Sequence, residues 1–266
     1  MSPQFDNQLM SSFLLFLDHE ILDKGAAFTN TNSYFYPIKN QYGNLFTYAA
    51  PYKPFVTDQS ISNMTYMTGI WLNSVFVGVG YSGLTGINFQ EGQIYFNQNI
   101  TFNNNISGSY SVKDYNVTLA SRPEEELLFE TKYQLRPKIT KSLSGLAPNI
   151  MTYPAIFLKN NGGTNEPYAF GGTDTTETEI QAIVLSDSQY NLDALLSICR
   201  DIERKYVPLL SASEYPFNAL GYYKSGVYNY DNLTDGRITS TTSSFINNVT
   251  ISKFGSNTRI ISELQK

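Results

Sequence analysis

The chain is short of the side chains on which most chemistry near neutral pH depends, with 1 His, 1 Cys and 1 Trp among 266 residues. The lone Cys199 has no internal disulfide partner, so rigidity must come from packing or from neighbouring subunits. Charge is scarce as well: 15% of residues are Asp, Glu, Lys or Arg, with a net charge of -5. That balance argues against a sequence-independent grip on a phosphate backbone, which needs clustered cations. No apolar run approaches the roughly 18 residues of a membrane span. Residues 1–12 hold no Lys or Arg, and the apolar run Phe13–Leu17 stops at Asp18, His19 and Glu20. No secretory leader is expected, and the chain reads as soluble and made in a cytoplasm, with no membrane partner.

What is abundant is the apparatus of contact: 20 Tyr and 17 Phe in a background rich in Asn, Ser and Thr, with 41% hydrophobic residues. This composition suits a globular chain that binds or builds. Tyr gives large contact area at low entropic cost, which suits subunit interfaces. A surface that stacks on sugars, using Tyr222, Tyr223, Tyr228 and Tyr230, is the alternative; with Trp71 alone, subunit contact is preferred.

Along the chain, Leu9, Phe13, Leu17 and Ile21, flanked by Met10, Leu14 and Leu22, have the spacing of one helical face over 6–24, with Asp6 to start it and Gly25 to end it. Residues 26–60 mix aromatics with turn formers and predict a long loop or an extended arm. From 66 to 120 short alternating runs are punctuated by Asn73-Ser74 and Gln90-Glu91-Gly92, which are hairpin signatures. Residues 127–135 alternate as a half-buried strand, and "YPAIFLK" is another. "NNGGTNEPYAFGGTDTTE" predicts a loop tip or lid. Then come a strand over Glu179–Leu185, capping residues at Ser186–Ser188, and a helix over Tyr190–Val207. Its buried face is Leu192, Leu195, Leu196, Cys199, Ile202 and Tyr206, with Asp201 and Lys205 as an outward pair. "NNVTISKF", 247–254, is a closing strand. The organisation is 1–65 as helix and aromatic arm, 66–120 as a β-hairpin module, and 121–266 as an α+β core. The fold class is α+β, a mixed or antiparallel sheet packed by one or two helices with the hairpin module added.

Candidate chemistry is thin, and no catalytic, cofactor-binding or metal residue is assigned. His19 has carboxylates as chain neighbours, but adjacent helical residues point about 100° apart and do not face one another; it reads as part of a solvated turn. Glu124, Glu125 and Glu126 follow Ser121 and Pro123 in the order of a helix cap. The Gly-rich stretches match neither a dinucleotide fingerprint nor a P-loop, so positive φ is their explanation. Cys199 reads as a buried structural thiol.

The hairpins "SGLTGINFQEGQIYFN" and "ISGSYSVKDYNV", in this Asn-, Tyr- and Ser-rich background, resemble structural proteins of tailed bacteriophages. The unit "TETEIQAIVLSDSQYNLDALLSICRDIERKYVPLL" is similar in layout to tail-terminator and tail-completion proteins, the likeness spanning roughly residues 127–254. The resemblance implies a cofactor-free, non-enzymatic virion protein that forms a homo-oligomeric, hexameric ring at the head-to-tail junction, most specifically the tail terminator. It would contact other neck and tail proteins and meet DNA only as transiting genome. Another neck or baseplate component, or a carbohydrate-binding adhesin of the virion, are the alternatives. Intersubunit contact is expected from the loops at 160–176 and 211–235, through Asn161, Gly162, Tyr168, Phe170, Tyr222, Tyr223 and Tyr228.

Overall fold

The expected first helix is α1, Phe5–Gly25, in the computed structural model. The residues described are 5–38, 44–81, 83–100, 105–120, 134–136, 150–167, 174–211, 213–216, 227–239 and 242–253. Acidic Asp6 in the first turn and Lys24 in the last complement the helix dipole. Burial goes beyond one stripe: Leu9, Phe13, Leu17 and Ile21 are covered, and so are Leu15 and Phe16 on another side. A helix apolar around most of its circumference belongs inside a core.

The segment expected to be an aromatic arm is instead strand-forming. It gives β1 (Phe28–Tyr34), β2 (Tyr36–Pro37) and β3 (Phe46–Ala49). The two expected hairpins follow: β4 (Gly69–Leu72) with β5 (Val75–Gly78), and β6 (Leu84–Asn88) with β7 (Gln93–Phe96). Asn73 and Ser74 both take positive φ, +50° and +69°, the backbone of a tight two-residue turn whose twist matches its strands. With β8 (Ile106–Lys113) the strands make two sheets, ordered β1-β8-β4-β5 and β2-β3-β7-β6. Ile70, Val77, Ile106, Tyr110 and Val112 of the first share one apolar interior with Tyr48, Leu84, Ile94 and Phe96 of the second, which makes a β-sandwich.

After β9 (Asn116–Leu119), strands β10 (Gln134–Arg136) and β11 (Ile150–Thr152) pair in parallel. Other residues of the expected 127–135 strand, and Glu124–Glu126, lie outside the described residues. Next are β12 (Ala155–Pro167) and β13 (Asp174–Leu185), in a mixed sheet ordered β13-β12-β9. Helix α2 (Gln189–Asp201) is capped by Ser188, whose Oγ accepts the Asn191 N–H at 3.2 Å. Strand β14 (Tyr206–Pro208), helix α3 (Tyr230–Thr234) and β15 (Ser243–Phe245) complete the chain's described elements. The closing strand is β15, paired with β14, and the described part of 247–254 forms no strand.

Helix α2 is shorter than its sequence pattern suggests. Arg204 takes φ +62°, and the chain turns into β14. Leu195 and Ile202 are buried as expected and Ile198 with them; Leu192, Leu196 and Cys199 are half-buried at the margin of the stripe. Tyr206 does not join that face: it is 49% exposed, its ring 5.0 Å from that of Phe245. Burial pushes the Cys199 thiol up to about 11, which leaves it protonated and inert. The fold is α+β, and the core of its last part is completed by its first element. Leu15, Leu17, Ile21 and Leu22 of α1 pack with Ile156 and Leu158 of β12, Leu195 and Ile198 of α2, and Val207 of β14. Ser12 Oγ accepts the Leu210 N–H at 3.0 Å.

One polar knot fastens α1 to the sandwich. Lys113 Nζ lies 2.6 Å from Asp18 Oδ2, and the Tyr115 hydroxyl donates to Asp18 Oδ1 at 2.6 Å; all three residues are buried. Removing one partner of such a pair strands a charge away from water. Lys113→Met is therefore expected to destabilise the protein by about 3–5 kcal/mol in urea unfolding, and the double variant Asp18→Leu/Lys113→Met by clearly less than that.

Candidate interaction surfaces

Strands β12 and β13 run on well past their sheet. β9 pairs with β12 only at Ala155–Leu158, whereas β13 pairs with it out to Pro167↔Asp174. From Lys159 outward the ribbon is, among the described residues, two-stranded for about 25 Å. Residues 161–166 and 175–177 are exposed, as is Glu179. The ribbon corrects the expectation of a loop tip or lid at residues 160–167 and 174–177, while 168–173 lie outside the described residues. Asn161 and Gly162 sit within it, at a register shift between Asn160 and Gly162. Asn161 is the extra residue of a bulge and Gly162, at φ +102°, takes the conformation that favours glycine. Three carboxylates, Glu166, Glu177 and Glu179, are exposed along this stretch.

The outer face of the β1-β8-β4-β5 sheet has a different character. Tyr34 is in register with Ser107, Ser107 with Trp71, and Trp71 with Phe76. Residues directly opposed across antiparallel strands share a face, so these four form one row across the sheet. Its rings stand in solvent: Tyr34 is 67% exposed, Trp71 43% and Phe76 49%. The Trp71 and Phe76 rings meet edge to face at 5.4 Å. Phe76 leans over Gly69, where a Cβ would stand 2.8 Å from its Cζ and 2.3 Å from the Val77 carbonyl oxygen.

His19 is not on a solvated turn. Its Nδ1 is 2.8 Å from Oδ2 of Asp58, which has no exposed side-chain surface, and its ring stacks on Tyr230 at 4.5 Å. Asp58 Oδ1 accepts from Ser60 Oγ at 2.6 Å, from the Ser60 N–H at 3.0 Å and from the Tyr230 N–H at 3.0 Å. Ser60, His19 and Asp58 thus meet, but in the wrong order for a nucleophilic relay. Ser60 Oγ approaches Nδ1, at 3.4 Å, the nitrogen already facing Asp58, while Nε2 faces Asp231 at 3.9 Å. A relay places serine and carboxylate on opposite ring nitrogens. What this geometry does is bolt α1 to the 58–60 turn and to the start of α3. Nearby, Asp231, Thr234, Asp235, Gly236 and Ile238 line an open depression of about 360 Å³.

Of the other residues expected at intersubunit loops, Tyr228 is buried in the subunit's own core, as is Tyr230, which was grouped with it as a sugar contact. Backbone bonds explain this: the Tyr228 N–H donates to Thr57 O at 3.0 Å and its carbonyl accepts from the Gln59 N–H at 2.7 Å. Tyr168, Phe170, Tyr222 and Tyr223 lie outside the described residues. Among the described residues no group of three or more His, Cys, Asp or Glu side chains is placed to hold a metal, and no described helix is long and apolar enough to cross a membrane. The outward Asp201–Lys205 pair does not form; Lys205 reaches Glu20 at 2.8 Å, because the helix has already ended. Burial opposes the Glu20 charge, but Lys205 and Lys24 hold its carboxyl below the ordinary value.

Burial opposes charge on His19 too, yet the bond to Asp58 and the fields of Asp58, Asp231 and Asp23 raise its pKa above 6.5. Burial likewise works against the Asp58 carboxylate, and bonds from His19, Ser60 and the Tyr230 backbone outweigh it and lower its pKa below 3.8. A raised histidine stabilises the fold fully below its unfolded pKa and loses that contribution as pH rises through the folded one. A lowered carboxylate contributes above its unfolded pKa and loses that as pH falls through the folded one. The pair is thus strongest between about pH 4 and pH 6.5. His19→Gln should remove the stability gained on lowering pH from 8 to 6, read as the pH dependence of the urea midpoint; an unchanged slope would contradict the bolt.

In comparisons with known proteins, no family model, no curated protein and no solved structure matches this chain.

Proposed function

We propose that this chain is a non-catalytic structural subunit that acts by contact with other chains, and specifically a tailed-phage virion protein that closes a ring at the head-to-tail junction as the tail terminator. The observation that carries the reading is the β12–β13 ribbon. An isolated two-stranded ribbon is only marginally stable in water, and this one, among the described residues, extends past its pairing with β9 with polar side chains and an acidic bias. A surface on another subunit that received it would supply both the missing packing and the missing charge. Closed cyclic symmetry turns modest contacts of this kind into a stable assembly, because each copy both gives and receives. The specific placement at a head-to-tail junction is supported by the sequence resemblance described above.

Replacing residues 161–179 by Asn-Gly leaves the paired Asn160 and Ile180 flanking a two-residue turn. The full chain is expected to sediment at several times the monomer mass and to show rings by negative stain. The shortened chain should remain monomeric with its thermal unfolding within a few degrees of the parent. A full-length protein that stays monomeric at high concentration, or a shortened one that assembles equally well, would overturn the reading.

A further inference from the structure

We infer that the open face of the β1-β8-β4-β5 sheet is a binding site for a neutral oligosaccharide, a function separate from subunit contact and independent of the ribbon. The row Tyr34–Ser107–Trp71–Phe76 has rings on both sides of a small residue. Tyr34 and Trp71 are two inter-strand spacings apart, roughly 10 Å, with Ser107 as the floor between them. That separation is of the size of a disaccharide unit laid across the strands.

The polar groups on the face suit the same ligand. One step along the strands from the row, Asn32 is in register with Ser109. The side chains of Asn32, Ser107 and Ser109 hold no hydrogen bond to another described residue. Asn30, further along, is by contrast committed, to Ser111 Oγ at 2.5 Å and to the Asn63 carbonyl at 2.9 Å. Hydroxyls and amides can each donate and accept, which matches the rim of a sugar, whose C–H face packs on an aromatic ring.

Charge selects among ligands. Strands β1, β4 and β5 contain no Asp, Glu, Lys or Arg, and the single charged residue of β8, Lys113, is buried against Asp18. A nucleic acid would require cations here, and a charged peptide would require the opposite sign. A purely apolar protein surface would desolvate the uncommitted Ser and Asn groups without repaying their lost water bonds. A ligand that is neutral, ridged with C–H faces and rimmed with hydroxyls meets every group on the face.

The chain's single tryptophan lies in the row, so its emission reports occupancy directly. Titrating the full-length protein with neutral oligosaccharides drawn from glycan-array hits should give a saturable change in Trp emission. Tyr34→Ala should weaken binding by about tenfold or more, Trp71→Ala should abolish the array signal, and Ser107→Lys should abolish both. Tyr190→Ala, which changes a ring 83% exposed elsewhere on the molecule, should have no effect. Thermal unfolding of each variant checks that the fold is kept. The inference is overturned if no neutral glycan binds at millimolar concentration, if binding survives Tyr34→Ala and Trp71→Ala, or if these variants change the assembled mass and leave glycan binding intact. The last result would make the row a subunit contact, and the ribbon deletion separately decides whether assembly occurs at all.

Discussion

Three consecutive charged or titratable residues in the second half of α1 govern how this molecule is put together. Asp18, His19 and Glu20 each take a different partner: Lys113 at the end of β8, Asp58 in the loop before β4, and Lys205 before β14. Successive helical residues point in different directions, and here that divergence is used to tie one helix to three parts of the fold. The surrounding apolar contacts supply most of the driving force, being non-directional. The polar ties are what select one rotation and one depth for the helix. A hydrophobic helix free to turn about its axis would bury similar area in several registers, and only one of them satisfies these partners.

A body fastened from inside leaves its outer surfaces available. The sandwich turns one sheet face outward with aromatic rings and neutral polar groups, and the mixed sheet continues as a ribbon of very different character, polar and acidic. Neither surface is needed to complete the cores beneath it. The chemical contrast between them gives the chain two distinct modes of contact on one scaffold, and the proposed assembly and ligand functions draw on separate surfaces.

Much of the fold was legible where the local chain carried its own signal. Asn73-Ser74 between alternating runs announced a hairpin, Ser188 announced a helix start, and the α1 stripe was plain. β1 was hidden for a physical reason: "FTNTNSY" has no apolar face to alternate. Its inward residues bond instead, Ser33 to the Tyr110 hydroxyl at 2.6 Å and Thr29 to Asp114 at 3.0 Å. The ribbon was hidden in the same way, since strands in solvent on both sides show no period-2 pattern and their glycines read as loop. The role of His19 depended on Asp58, 39 positions away, and the aromatic row on a register across four strands. Both are tertiary facts that no window along the chain contains. Tyr228 and Tyr230 read as surface rings because their neighbourhood is polar, whereas backbone pairing of Tyr228 with Thr57 and Gln59, and the Tyr230 N–H bond to the Asp58 carboxylate, draw them inward.

The packing of α1 against β12, α2 and β14 also sets an order of events in synthesis. The helix is made more than a hundred residues before the strands and second helix that cover it. The sandwich, whose strands are all made by Lys113, can close and take hold of the helix through Asp18 while the helix face that β12, α2 and β14 cover is still bare. A nascent chain of this design depends on whatever shelters that face during translation, until β14, made after β12 and α2, closes over it.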